Sequence, residues 1–167
     1  MLGPAAAVFS LLLVLTGAAK VRHPEYTSRA LAGMFGRSMG PPVGVGIGLF
    51  EVALGVAGLL YPTTEILSAQ AVTYFLFAIW IGAALAKGLP IETCGCLGTP
   101  DTPPYWGHLA LNLLATVASV GAASAPTAWL PGGLLEAVAT LLTVSLGAFL
   151  AWIMLGDGAR LHGAIAR

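Results

Sequence analysis

PVGVGIGLFEVALGVAGLL, residues 42–60, is the stretch whose reading decides the fold. It runs for the length of one bilayer crossing, about 20 residues, and its single charge is Glu51 at the centre. Pro41-Pro42 opens it and Tyr61-Pro62 closes it, and prolines cost a helix least at such boundaries. Backbone groups in lipid must be satisfied within the segment, so the run reads as a helix and not a strand.

The remainder of the chain repeats the pattern. Residues 2–19, 66–86, 105–123 and 134–155 are further apolar runs, punctuated by Lys87-Gly88, Pro103-Pro104, Pro131-Gly132-Gly133 and Gly156-Asp157-Gly158. Hydrophobic residues make up 57% of the 167, charged residues only 8%, and the mean hydropathy is +0.89. A soluble domain carries about 25% charged residues, so this chain has no water-facing shell. The expected fold class is an all-α integral membrane protein, a bundle of about five transmembrane helices forming one domain over residues 1–167. The first run has no Lys or Arg before Lys20, so it reads as a retained helix and not as a secretory signal. Residues 21–39 mix charges with Tyr26, Leu31, Met34 and Phe35, which suits a short helix lying on the membrane surface. The net charge is zero, and no basic tract points to nucleic acid.

Charge placement sets an expected topology. All seven Lys and Arg residues (Lys20, Arg22, Arg29, Arg37, Lys87, Arg160 and Arg167) fall on one face of a five-span bundle, and the loops at 61–65 and 124–133 carry none. Positively charged loops stay cytoplasmic. The expectation is a multi-pass protein of the bacterial inner membrane with its N-terminus outside and its C-terminus cytoplasmic. Lys20 is expected to snorkel from its helix end to the interface. The glycines of the second run (Gly44, Gly46, Gly48, Gly55 and Gly58) are expected to let helices approach closely, as are Gly82 and Gly147.

Chemistry centres on Cys94-Gly95-Cys96, the only two cysteines, which the topology sets at the cytoplasmic boundary after the third span. Three readings are open: a redox dithiol, a metal pair that His108 and Glu92 could complete, and two small buried hydrophobes. Two thiolates alone underfill a zinc site. A disulfide closed across one residue is strained, which makes it easier to reduce and suits a carrier more than a staple. Glu51 is the second candidate. An ionisable group at mid-bilayer costs at least about 2.5–3.5 kcal/mol, so it needs a role or a partner: a proton relay or orienting group for the thiols, or a hydrogen bond to a residue such as Asn112. His108 and Asn112 share a helix face at i, i+4, where they could orient groups or exchange protons near the thiols.

Thr16-Gly17-Ala18-Ala19-Lys20 with His23-Pro24, Glu51 with Gly55, Cys94-Gly95-Cys96-Leu97-Gly98 and Asn112 together resemble the MauE branch of the DoxX-like membrane proteins. The resemblance covers roughly residues 1–120. It departs at Leu97, where the family usually has Phe, and at Leu111, where Arg often precedes the helical Asn. It implies a four-helix core, here with an added C-terminal helix, and thiol redox chemistry in the maturation of periplasmic redox enzymes beside thioredoxin-like partners. That association pulls towards the outer face, whereas the charge count places the thiols inside. The expected function is a membrane thiol–disulfide redox protein using Cys94 and Cys96 to support a partner, either a thioredoxin-like protein or a larger membrane redox complex. No cofactor is required by the residues, although a quinone could supply the outer electron terminus. The alternative is a non-catalytic subunit or assembly factor of a larger membrane complex.

Overall fold

The structure, a computed structural model, describes residues 3–37, 39–88, 103–125 and 133–165, without the side chains of 136 and 155–165. Cys94 and Cys96 lie outside the described residues, as does Glu92. Among the described residues the chain is all helical. Its elements are α1 (Gly3–Arg22), α2 (Pro24–Phe35), α3 (Pro41–Leu60), α4 (Thr64–Ala86), α5 (Trp106–Ser124) and α6 (Leu134–Ile165). All but α2 contain a stretch long and apolar enough to cross a membrane. This is the expected fold class, a multi-pass helical membrane protein.

The helix boundaries follow from local chemistry. Pro24 and Pro41 sit in the first turns of α2 and α3, where a missing N–H costs nothing. Gly36 ends α2 at φ 63°, a left-handed cap donating its N–H to Ala32 O. Thr63 caps α4 by accepting from Ile66 N. One expectation is corrected: Gly156-Asp157-Gly158 does not close the last helix, which runs on to Ile165. Isolated glycines cost a helix only about 1 kcal/mol each, and the Ala, Arg, Leu and His that follow tolerate helix well enough to carry it on.

The five long helices alternate in direction. α1 packs most extensively against α3, and α4 against α5. Small residues decide the first pair. A Cβ added at Gly48 would lie 2.7 Å from Gly17 O, and one at Gly17 would lie 2.6 Å from Gly48 O. Backbone therefore meets backbone, the close approach that small residues permit in lipid. Gly55 meets the backbone of Ser10 and Gly44 that of Pro24 in the same way, while Gly58 lies against the Ser10 hydroxyl and the Gln70 amide. Gly46 has nothing within 4 Å of its added Cβ and Gly82 only Leu109 Cδ1 at 3.8 Å. Neither is a close-packing glycine, contrary to expectation. Both point where no neighbouring backbone approaches.

A core of Phe9, Leu12, Leu13, Leu54, Tyr74, Ala115, Ala118 and Ala151 joins α1 to the other long helices. Phe9 and Tyr74 meet edge-on at 5.8 Å, and Tyr74 donates its hydroxyl to Phe9 O at 2.6 Å. The large apolar residues Leu49, Phe50, Leu76, Val117, Leu142 and Phe149 are exposed, as lipid-facing residues are. α2 tucks against the bundle with Ala30 on Ala84 and Met34 beside Trp80, while Arg29, Phe35 and Arg37 stay exposed. It is amphipathic, in keeping with a helix on a membrane surface.

Candidate functional site

The site is built where α1, α3, α4 and α5 converge. Lys20 is two residues from the end of α1, yet only 6% exposed, and its Nζ lies 2.6 Å from Glu51 Oε2. This overturns the snorkelling expectation. The α1–α3 glycine contact draws the two backbones so close that Lys20 reaches Glu51 inside the bundle. Glu51, fully buried, takes Lys20 as its partner in place of an amide such as Asn112. Thr16, one turn before Lys20, sets Oγ1 3.2 Å from the same carboxylate oxygen. The other oxygen, Oε1, is buried with no hydrogen-bond partner among the described residues. Lys20 Nζ also stands 5.4 Å over the Phe77 ring, within cation–π range.

Desolvating two charges offsets much of their attraction, so such a pair adds little net stability, whereas removing one partner is costly. A retained buried pair with one unbonded oxygen fits a chemical role better than a structural one.

Beside the pair lies a cavity of about 30 Å³, lined in part by Thr16, Lys20, Tyr74 and Asn112. That is about the volume of one water molecule, and these side chains offer it polar partners. Asn112, expected on a shared face with His108, indeed donates Nδ2 to His108 O at 2.7 Å, and both side chains are buried. The structure thus brings Asn112 to a cavity it shares with Lys20 and Thr16. It puts His108 one turn nearer the helix end, against the Tyr105 ring at 4.4 Å. Tyr105 donates to Met154 O at 2.5 Å.

A second polar cluster, missed from sequence, sits towards the opposite end. Gln70 Nε2 donates to Ser119 Oγ at 3.1 Å and to Ala6 O at 3.3 Å, and Ser10 Oγ is 2.8 Å from Gln70 Oε1. These groups tie α1, α4 and α5 together, and Gln70, Ser10 and Ser119 are wholly buried. Gln70→Leu removes the donor to Ser119 Oγ while Ser10 Oγ keeps Ala6 O at 3.0 Å, and the expected cost is about 1–3 kcal/mol, read as a lower unfolding midpoint in detergent. The sequence reading missed the Thr16–Lys20–Glu51 grouping; the i, i+4 spacing of Thr16 and Lys20, which puts them on one face, was the one local signal of it. Among the described residues no three His, Cys, Asp or Glu side chains gather as a metal site.

A family model described as methylamine utilisation protein MauE matches residues 2–125. The match spans α1 to α5 and stops before α6. Neither the curated proteins nor the solved structures contain a match to the chain.

Proposed function

Because the chain belongs to the MauE family of methylamine utilisation proteins, we propose that it is a membrane thiol–disulfide redox protein whose exchanging pair is Cys94 and Cys96. The observation that carries this reading is the buried Lys20–Glu51 pair, one of whose carboxylate oxygens has no hydrogen-bond partner among the described residues. It sits towards the end of the bundle at which residues 89–102 connect α4 to α5. Dithiol oxidation releases protons, and a buried carboxylate whose partners Lys20 and Thr16 line a water-sized cavity is a group that can take one up.

The exchange proceeds through a mixed disulfide. One thiolate of the pair attacks a disulfide of a thioredoxin-like partner, and one partner sulfur leaves as a thiolate. The second cysteine then displaces the other partner sulfur. Two electrons and two protons pass from the Cys94–Cys96 dithiol to the partner, and the reverse steps reduce the pair again. Glu51 serves as proton acceptor, held by Lys20 and Thr16. Asn112 orients the cavity water, and His108 passes protons between that cavity and the helix end. After those reverse steps have reduced the pair at the expense of a partner dithiol, a quinone or a second redox protein reoxidises it, accepting the two electrons and two protons. The cations Arg22, Arg29, Arg37 and Lys87 share this end of the bundle and are exposed, which supports a cytoplasmic location for it in the bacterial inner membrane.

In membranes from cells expressing Cys96→Ser, a mixed disulfide through Cys94 is expected to accumulate, visible as a reductant-sensitive band of higher mass. A membrane-impermeant thiol reagent is expected to modify Cys94 only from the cytoplasmic side. No adduct, together with intact function in Cys94→Ser, would favour the role of a non-catalytic membrane subunit. Labelling only from the periplasm would invert the topology.

A further inference from the structure

A second cavity, of about 230 Å³, opens under α2. Leu31 and Phe35 of α2 face Phe77, Trp80 and Ile81 of α4 across it, with Ile47 of α3 on a third side. Its walls are almost wholly apolar. Apolar cavities of this size stay dry and take apolar ligands. Lys20 is its one charged lining residue, and that ammonium is committed to Glu51 at 2.6 Å. Besides it only Thr27 and Trp80 carry a polar side-chain group, so a head that needs several hydrogen bonds, such as a quinone's, is poorly served. An alkyl chain needs none.

The surface at this end of the bundle is basic: Arg22 at the end of α1, Arg29 on α2 and Arg37 just after α2 are all exposed. Arg29 is stacked over the Tyr26 ring at 4.7 Å, which holds its guanidinium at the α2 surface. Glu25, also on α2, lies 3.6 Å from His23. Arginines near a membrane surface attract anionic headgroups, and their planar forks suit phosphate.

We infer that the α2 cavity binds one acyl chain of an anionic phospholipid, with Arg22, Arg29 and Arg37 holding its phosphate headgroup at the membrane surface. The inference does not depend on the thiol chemistry. α2 would then be seated on a bound lipid as well as on the bundle. Such a site discriminates by headgroup charge, because lipid tails alone gain little by leaving other lipid tails.

The test uses the full-length chain in mild detergent, with Trp106, Trp129 and Trp152 replaced by Phe so that Trp80 alone fluoresces. Phosphatidylglycerol and phosphatidylcholine with brominated acyl chains are titrated in as quenchers. The expected result is half-maximal quenching of Trp80 at a many-fold lower mole fraction of brominated phosphatidylglycerol. Arg22→Gln and Arg29→Gln, both at exposed positions, are each expected to shrink that preference roughly five-fold while leaving maximal quenching unchanged. Equal quenching by the two lipids, or a preference that survives the double Arg variant, would overturn the inference. So would saturable quenching by one equivalent of a short-chain benzoquinone with no response to brominated lipid, which would assign the cavity to a quinone.

Discussion

Glu51→Ala is expected to lower stability by about 3–5 kcal/mol, because it leaves the Lys20 ammonium buried without a counter-charge. Unfolding midpoints in detergent check the size of the loss. Lys20→Met is expected to cost a similar amount by stranding the carboxylate. The double variant Lys20→Met/Glu51→Leu is the informative one. With both charges gone and the volume kept, it is expected to recover to within about 1 kcal/mol of the parent, since a buried ion pair adds little beyond a packed apolar pair. The strong non-additivity is the signature of a direct interaction. If the pair serves proton transfer, the double variant folds but exchanges thiols slowly and with an altered pH profile. A double variant with parental exchange at every pH would reduce Lys20 and Glu51 to a structural pair.

Gly48→Leu is expected to be strongly damaging. Its Cβ would meet Gly17 O at 2.7 Å and Val21 N at 3.0 Å. Backbone cannot step aside as a flexible side chain can, so α1 and α3 must separate, at a cost above the usual ~1–3 kcal/mol of over-packing. Separation also moves Lys20 away from Glu51, which compounds the loss. Gly46→Leu, one half-turn away, is the control. Nothing lies within 4 Å of its added Cβ, and the expected change is within about 0.5 kcal/mol. Expression level, gel-filtration profile and unfolding midpoint separate the two. Equal behaviour would mean that the α1–α3 glycine contact does not set the helix separation.

The number and type of the membrane helices were legible because apolar length and proline punctuation act locally. The end of α6 was not, because glycines weaken a helix without forbidding it. Glu51 was legible as an anomaly, one carboxylate among apolar neighbours in residues 42–60, but its partner was not. Lys20 looked like an interface residue because helix position suggests depth, whereas depth here depends on how closely α1 approaches α3. That distance is set by Gly17 and Gly48 meeting across a gap invisible to the reading of either helix alone. The Gln70–Ser10–Ser119 cluster escaped notice for a related reason. Each residue is unremarkable in its own span, and only the packing of α1, α4 and α5 brings them together. The i, i+4 relation of His108 and Asn112 was readable because it lies within one helix.

The central claim is that Cys94 and Cys96 cycle between dithiol and disulfide. Native membranes equilibrated against a series of glutathione or dithiothreitol buffers, then alkylated with light and heavy reagents before and after reduction, give the oxidised fraction of the pair by mass spectrometry. The two cysteines are expected to oxidise together in a single two-electron transition, with a midpoint above the roughly −300 mV of structural disulfides. Both thiols remaining alkylatable at every potential would contradict the account.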